Sequence, residues 1–391
     1  MFTRPEDVVP DEERPGLLRA QHAGETDTGD VHVCTFHDLS ESGTVEPGLE
    51  AAGFETIDLS GNAPLQRALD QVRAMDCITD EVAAAIRDSL TGARFDLENG
   101  TSLKIDLVVD DGLFHRRAGP NWHDVNPGGI DGINGHGGAS FVHGDQDVFG
   151  TPLRQLMHGA APDMFRHNTP DGRNDEATTF LLNMWIPLHA PVQPLALMDR
   201  RTLDAKKHQL RYGLPVDGFL DRDDDAAVND IWNFLHNDEQ AWYIRSNMES
   251  DQGYLFDTLG TPHGAGILPG EPALEELYVA LGGMSDAFDR GDSSAVQSII
   301  ADQGQRQSPT EATPEIQQAW QRMSDLIDDA TAVLADPVGE PGVADWCTQA
   351  SAASGAVIRK SVELRLVASV ISDSRDTQSP LRRPGQPSQQ G

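Results

Sequence analysis

A histidine and an aspartate stand two residues apart in His143-Gly144-Asp145, at the end of the apolar stretch Ala-Ser-Phe-Val (139–142). Side chains alternate across a strand, so the two leave the same face and can chelate one metal. A third ligand from a distant strand completes a facial triad of two histidines and one carboxylate. Such a triad leaves three octahedral positions open for a bidentate cosubstrate and dioxygen. His263, in Thr-Pro-His-Gly, is the candidate third ligand. Asp147 takes the place of Asp145 if the strand register is displaced by two. A bare His-x-Asp recurs by chance; its weight here comes from its place after an apolar strand and ahead of a later strand histidine and Arg359-Lys360-Ser361.

The segment 356–372 reads as a strand in which Arg359, Ser361, Glu363 and Arg365 share one face. A guanidinium fork beside a hydroxyl can bind the distal carboxylate of 2-oxoglutarate, a bidentate match that lysine does not reproduce. The donor set therefore points to Fe(II), with 2-oxoglutarate and O2 as cosubstrates, and Arg365 is a second choice for the anchor. The structural alternative is an exposed strand whose arginines are satisfied by Glu363. Substrate contacts are expected from His136 in the glycine-rich run 128–138, from Asn183 and Trp185 on one strand face, and from Arg245. For each, a plainer role exists: a solvated loop histidine, core packing or a surface ion pair. The glycine run lacks the strand and helix setting of a phosphate-binding loop and reads as a flexible loop near the mouth of the site.

Elements able to position these groups follow from periodicity. VHVCTF (31–36) and FETIDL (54–59) read as strands, and the stretches after them as two amphipathic helices. Short strands punctuated by Gly, Pro and Asp then run to residue 270, as in an antiparallel sandwich or jelly roll. Residues 271–352 carry helical periodicity. The expected fold is mainly β with flanking helices: a double-stranded β-helix (jelly roll) with its core over 92–270 and 356–372, an N-terminal α/β segment and a helical insertion. Because both ends of the insertion join strands bearing site residues, it is expected beside the barrel mouth as a lid or substrate wall. Residues 1–30 and 374–391, acidic or proline-rich, are expected to be disordered.

Sixty-three acidic residues against 29 basic ones give a formal charge of −34, which repels phosphate backbones and anionic lipid. Nucleic acid and membrane are poor partners for such a chain; a small-molecule substrate fits. Three scattered cysteines without a CxxC pattern argue against a disulfide framework and a thiolate zinc site. With no signal-peptide core and no long apolar run, a cytoplasmic location is expected. Oligomeric state is not legible.

The segments GARFDLEN (92–99), FVHGD (141–145), LLNMWIPLHAPVQPLALMDRRTL (181–203), DIWNFLHNDEQAWYIRSNMESD (230–251), TPHGAG (261–266) and IRKSVELRL (358–366) together resemble the non-haem Fe(II)/2-oxoglutarate oxygenases that include the cephalosporin methoxylation oxygenase, a gibberellin desaturase and fungal hydroxylase/desaturases. The resemblance implies one oxygenase domain over 31–373, iron on His143, Asp145 and His263, and 2-oxoglutarate on Arg359 and Ser361. It also implies hydroxylation or desaturation of a small molecule in secondary metabolism. Halogenating relatives replace the carboxylate ligand, so Asp145 argues against halogenation. Two departures stand out: Gly-Ala-Gly follows His263 where the family has an aromatic, and 96 positions separate residue 263 from residue 359 (359 − 263). A cupin-like binding protein without redox chemistry and a zinc hydrolase or isomerase on the same three ligands are the alternatives.

Overall fold

In the computed structural model the described residues are 1–21, 29–126, 128–189, 193–215, 228–337 and 342–371. Eight strands form the centre: β1 (Phe114–Ala118), β2 (His143–Gly144), β3 (Thr179–Pro187), β4 (Leu195–Met198), β5 (Trp242–Ile244), β6 (Gln252–Asp257), β7 (His263–Ala265) and β8 (Arg359–Ile371). One sheet runs β6-β3-β8-β1 and the other β2-β7-β4-β5, every neighbour antiparallel. Chain order crosses repeatedly between the two sheets, which is the winding of a jelly roll. The expected double-stranded β-helix is therefore what the sequence forms.

Period-two alternation separates core from site. On β8, Val362, Leu364, Leu366 and Ala368 face outward into an apolar layer, while Arg359, Ser361, Glu363 and Arg365 face the other sheet. The outward layer is completed by α1 (Ala63–Met75) and α2 (Asp80–Leu90), which contribute Leu65, Leu69, Val72, Val82 and Ile86. Asn62 and Thr79 cap these helices by accepting from the Leu65 and Val82 amides.

The helical block comprises α3 (Glu271–Asp289), α4 (Ser293–Gln303), α5 (Pro314–Ala335) and α6 (Val343–Ala356). It packs on the back of the second sheet, against Val142, Ala196, Met198, Trp232, Phe234 and Trp242. This corrects the expected lid: the apolar stripe of α3 is Leu274, Leu277, Leu281 and Met284, and it is satisfied by the sheet's outer face. Val279, off that stripe, is 53% exposed. The first two turns of α3 meet the segment that follows β1, where Glu271 and Glu275 bind Asn121 and Tyr278 packs on His123.

The N-terminal segment also departs from expectation. Residues Val8–Pro10 and Leu18–Ala20 form a ribbon on the edge strand Gln209–Pro215, which pairs with Val228–Phe234 and through it with β2. Acidic composition does not by itself mean disorder; here the buried Asp11 faces an arginine and ties the segment down. Arg211 binds Asp11 at 2.7 Å and Glu13 at 3.2 Å, and Arg14 bridges Asp147 and Asp171. Asp11 further accepts the Glu13 and Arg14 amides. Asp11→Ala is accordingly expected to lower unfolding free energy by about 1–3 kcal/mol, read as an earlier urea midpoint; an unchanged midpoint contradicts an ordered, load-sharing N-terminus. The expected tail at 374–391 lies outside the described residues.

Candidate metal centre and anion pocket

β2 and β7 are adjacent, with His143 directly opposite His263. Both side chains point between the sheets, and their rings lie 4.4 Å apart between centroids. Each Nδ1 meets a local carbonyl, Phe141 O at 2.9 Å and Thr261 O at 3.0 Å, which leaves each Nε2 turned inward. Asp145 Oδ1 is 3.3 Å from His143 Nε2 and 3.8 Å from His263 Nε2. The three donors lie within 4.8 Å of one another, so one ion can meet all three. Carbonyl bonds at Nδ1 fix the tautomer in which Nε2 is the free ligand atom.

The second carboxylate oxygen is also committed. Asp145 Oδ2 accepts from the Asn183 amide, whose own oxygen takes the Thr258 hydroxyl at 2.8 Å, and Arg365 lies 3.6 Å away. Although burial favours the acid form, the two histidines and Arg365 hold the Asp145 carboxyl well below its usual range. Burial, with His143 adding to it, pulls His263 down to about 4, keeping it neutral as ligation requires. Burial also opposes charge on His143, but the hydrogen bond and charge of Asp145 prevail and raise it.

Asn183 is thus a partner of the carboxylate, not the substrate contact expected from its strand face. Asn183→Ala is expected to weaken metal binding about 10–100-fold, the usual effect of losing an outer-shell partner, measured by competition with a chromophoric chelator; unchanged affinity contradicts this role.

A narrow cavity of ≈ 20 Å³ opens beside the histidines, bounded by Arg116, Gly138, Ala139, Trp185, Leu195, Phe256, Arg359 and Glu363. Arg359 is 4% exposed, and its one hydrogen bond among the described residues is to the Gln193 carbonyl at 3.3 Å. Burial holds its pKa down to about 10. Ser361, 1% exposed, has a hydroxyl without a partner among the described residues. A buried guanidinium beside an orphaned hydroxyl is an arrangement that an anion completes. Glu363 does not serve either strand arginine: it pairs with Arg116 of β1. Gly138 is needed for closeness, since a Cβ there would sit 2.9 Å from the Arg359 guanidinium and 3.0 Å from Ala118. The aromatic expected after His263 comes instead from β6, where Phe256 packs on the His263 ring at 4.7 Å.

Other expected contacts fall elsewhere. His136 bonds Gly132 O at 2.9 Å and packs on Phe114, so it faces its own loop. The loop itself is tied to β1 through the His115 and Arg117 amides. Arg245 pairs with Glu46 at 2.6 Å. Asp147, the rival carboxylate, is fully buried among Arg14 and Arg211. Trp185 does line the cavity, stacked on Tyr254.

Sequence reasoning passed over Arg116, and it passed over Glu271 at the start of α3. Glu271 accepts the Leu268 amide at 2.7 Å and the Asn121 amide at 2.9 Å, and burial raises its pKa from 4.5 to about 7. A carboxyl raised in the fold contributes stability that is complete below 4.5 and is lost as pH rises through 7. Relative to Glu271→Gln, the native chain is therefore expected to lose roughly 3 kcal/mol between pH 4.5 and 8 in urea unfolding; parallel curves contradict it.

Residues 127–268, the span that contains all three triad residues, match the family described as oxidoreductase/YMDC permease-like domain. Comparison with curated protein sequences returns no match. Among solved structures, the chain is similar to the iron and alpha-ketoglutarate-dependent endoperoxidase NvfI, at 14% identity, TM-score 0.43, covering 94% of this chain and 95% of that one. A second structure of that enzyme in a different conformation aligns at 15% identity and TM-score 0.40, over 85% and 82% of the two chains. Among the described residues no helix is long and apolar enough to cross a membrane.

Proposed function

We propose that this chain is an Fe(II)/2-oxoglutarate-dependent oxygenase that hydroxylates or desaturates a small molecule. The observation that supports it most is the single cavity shared by His143, His263 and Arg359, which has no carboxylate partner among the described residues. Residues for a metal and residues for a distal carboxylate thus border one space. The donor set fits Fe(II): two neutral imidazoles and one carboxylate with open positions suit iron better than a closed tetrahedral zinc site. When bound, iron supplies dioxygen activation coupled to oxidative decarboxylation of 2-oxoglutarate to succinate and carbon dioxide.

The chain's own residues do the rest. Asn183 and Arg365 orient the Asp145 carboxylate so that Oδ1 faces the histidines. Arg359 and Ser361 receive the far carboxylate of the cosubstrate, which fixes the angle at which its near end meets the metal. Phe256, Trp185 and Leu195 wall the cavity and keep water from its centre. A hydrolase reading lacks a free general base among the described residues that line the cavity, because Glu363 is held by Arg116.

The reading is tested by incubating the purified chain with Fe(II), ascorbate, 2-oxoglutarate and air and assaying succinate. Slow succinate formation without added substrate, abolished by chelator and absent with zinc, is the expected result. A chain that binds Fe(II) yet forms no succinate and binds no 2-oxoglutarate overturns it.

A further inference from the structure

A second pocket of ≈ 360 Å³ adjoins the inner cavity and shares His143, Gly138 and Ala139 with it. Its far wall is the strand pair Gln209–Pro215 and Val228–Phe234, which extends the second sheet beyond β2. Asn233 pairs in register with His143, so the two side chains leave the same face of neighbouring strands. Ile231, Tyr212 and Leu214 follow on that face and line the pocket, with Phe141 from the loop before the triad and Thr3 from the N-terminal segment.

We propose that this pocket is the substrate site and that it takes a neutral, mainly apolar small molecule carrying a hydroxyl or carbonyl oxygen. The proposal rests on the oxygenase reading for its chemistry. Three observations carry the class of ligand. Ala20, Ala139, Phe141, Tyr212, Leu214 and Ile231 give the wall an apolar surface of the kind that pockets for drug-sized molecules present, with polar side chains between them. Among the described residues it offers no unpaired cation: apart from His143, its charged side chains are Arg4 and Asp7, and Arg4 is already paired with Asp30 at 3.3 Å. An anionic ligand therefore finds no free cation in it among the described residues, in a chain whose net charge of −34 repels it further. Finally, Thr3 is 7% exposed and its hydroxyl has no partner among the described residues, an unmet hydrogen bond that a ligand oxygen satisfies. With Asn233 beside His143 and Thr3 at the other wall, such a molecule is held across the mouth of the metal centre.

The test uses the full chain and two near-isosteric fluorescent probes, neutral N-phenyl-1-naphthylamine and anionic 8-anilinonaphthalene-1-sulfonate. Ile231→Trp fills the pocket, and Leu214→Trp does so from its mouth, where Leu214 is 37% exposed and the change is tolerated. The neutral probe is expected to bind the native chain more tightly than the anionic one and to lose about tenfold in affinity, near 1.4 kcal/mol, in each variant that keeps its native circular dichroism. With Mn(II) as a paramagnetic stand-in, proton lines of the bound neutral probe broaden, and His263→Ala removes the broadening. Preference for the anionic probe, unchanged affinity in Leu214→Trp, or absent broadening while Mn(II) is bound overturns the proposal. Failure of Mn(II) to bind at all strikes at the metal reading instead, and the affinity comparison still decides the pocket.

Discussion

His143→Ala, Asp145→Ala and His263→Ala are each expected to abolish succinate formation, with iron affinity falling by more than the roughly 10–100-fold that follows loss of an outer-shell partner. Each substitution removes one of three protein donors that lie within 4.8 Å of one another. No other carboxylate stands ready to replace Asp145 in the described structure, because Asp147 is held by Arg14 and Arg211. Equilibrium competition with a chromophoric chelator, alongside circular dichroism to confirm the fold, measures the effect. Retained turnover in any one variant removes that residue from the triad.

Arg359→Ala is expected to raise the half-saturating concentration of 2-oxoglutarate about a hundredfold while iron remains bound, since hydrogen bonds to charged groups contribute roughly 1.5–3 kcal/mol each. Arg359→Lys restores only part of this, because an ammonium lacks the planar fork. Arg365→Ala should act differently: Arg365 lies 3.6 Å from Asp145 and does not border the cavity that holds Arg359, so its loss weakens the metal and leaves the cosubstrate requirement nearly unchanged. Calorimetric titration of 2-oxoglutarate into the anaerobic Fe(II) protein separates the two. The reverse pattern would move the anchor to Arg365.

Much of the site was legible because strand alternation is strict. His143 with Asp145, and Arg359 with Ser361, each required only that residues two apart share a face. The jelly roll followed from short strands between turn residues, and the helices at 271–289 and 314–335 from apolar spacing. Partner identity was not legible in the same way. Asn183 looked like a pocket wall because alternation gives the face and not the neighbour, and the neighbour is Asp145 on another sheet. Glu363 looked available to Arg359 or Arg365, yet Arg116 on β1 reaches it first. Helix α6 lies mostly within the expected helical stretch 271–352, but its own bounds were not legible because Ala, Ser and Gly dominate it and only Trp346, Ala350 and Ala353 are buried, too weak a stripe to read. The helical block was misplaced because its ends were weighed more than its apolar area, and that area needed the back of the second sheet.

The central claim is that one cavity holds both iron and 2-oxoglutarate. Anaerobic titration of the full chain with Fe(II) and then 2-oxoglutarate tests it most directly, by the weak visible charge-transfer band that forms only when the cosubstrate chelates the metal through its near carboxylate and keto oxygen. The band is expected in the native chain at one 2-oxoglutarate per iron, to need far more cosubstrate in Arg359→Ala, and to be lost in His263→Ala. Tight Fe(II) binding with no band at saturating 2-oxoglutarate would contradict the account.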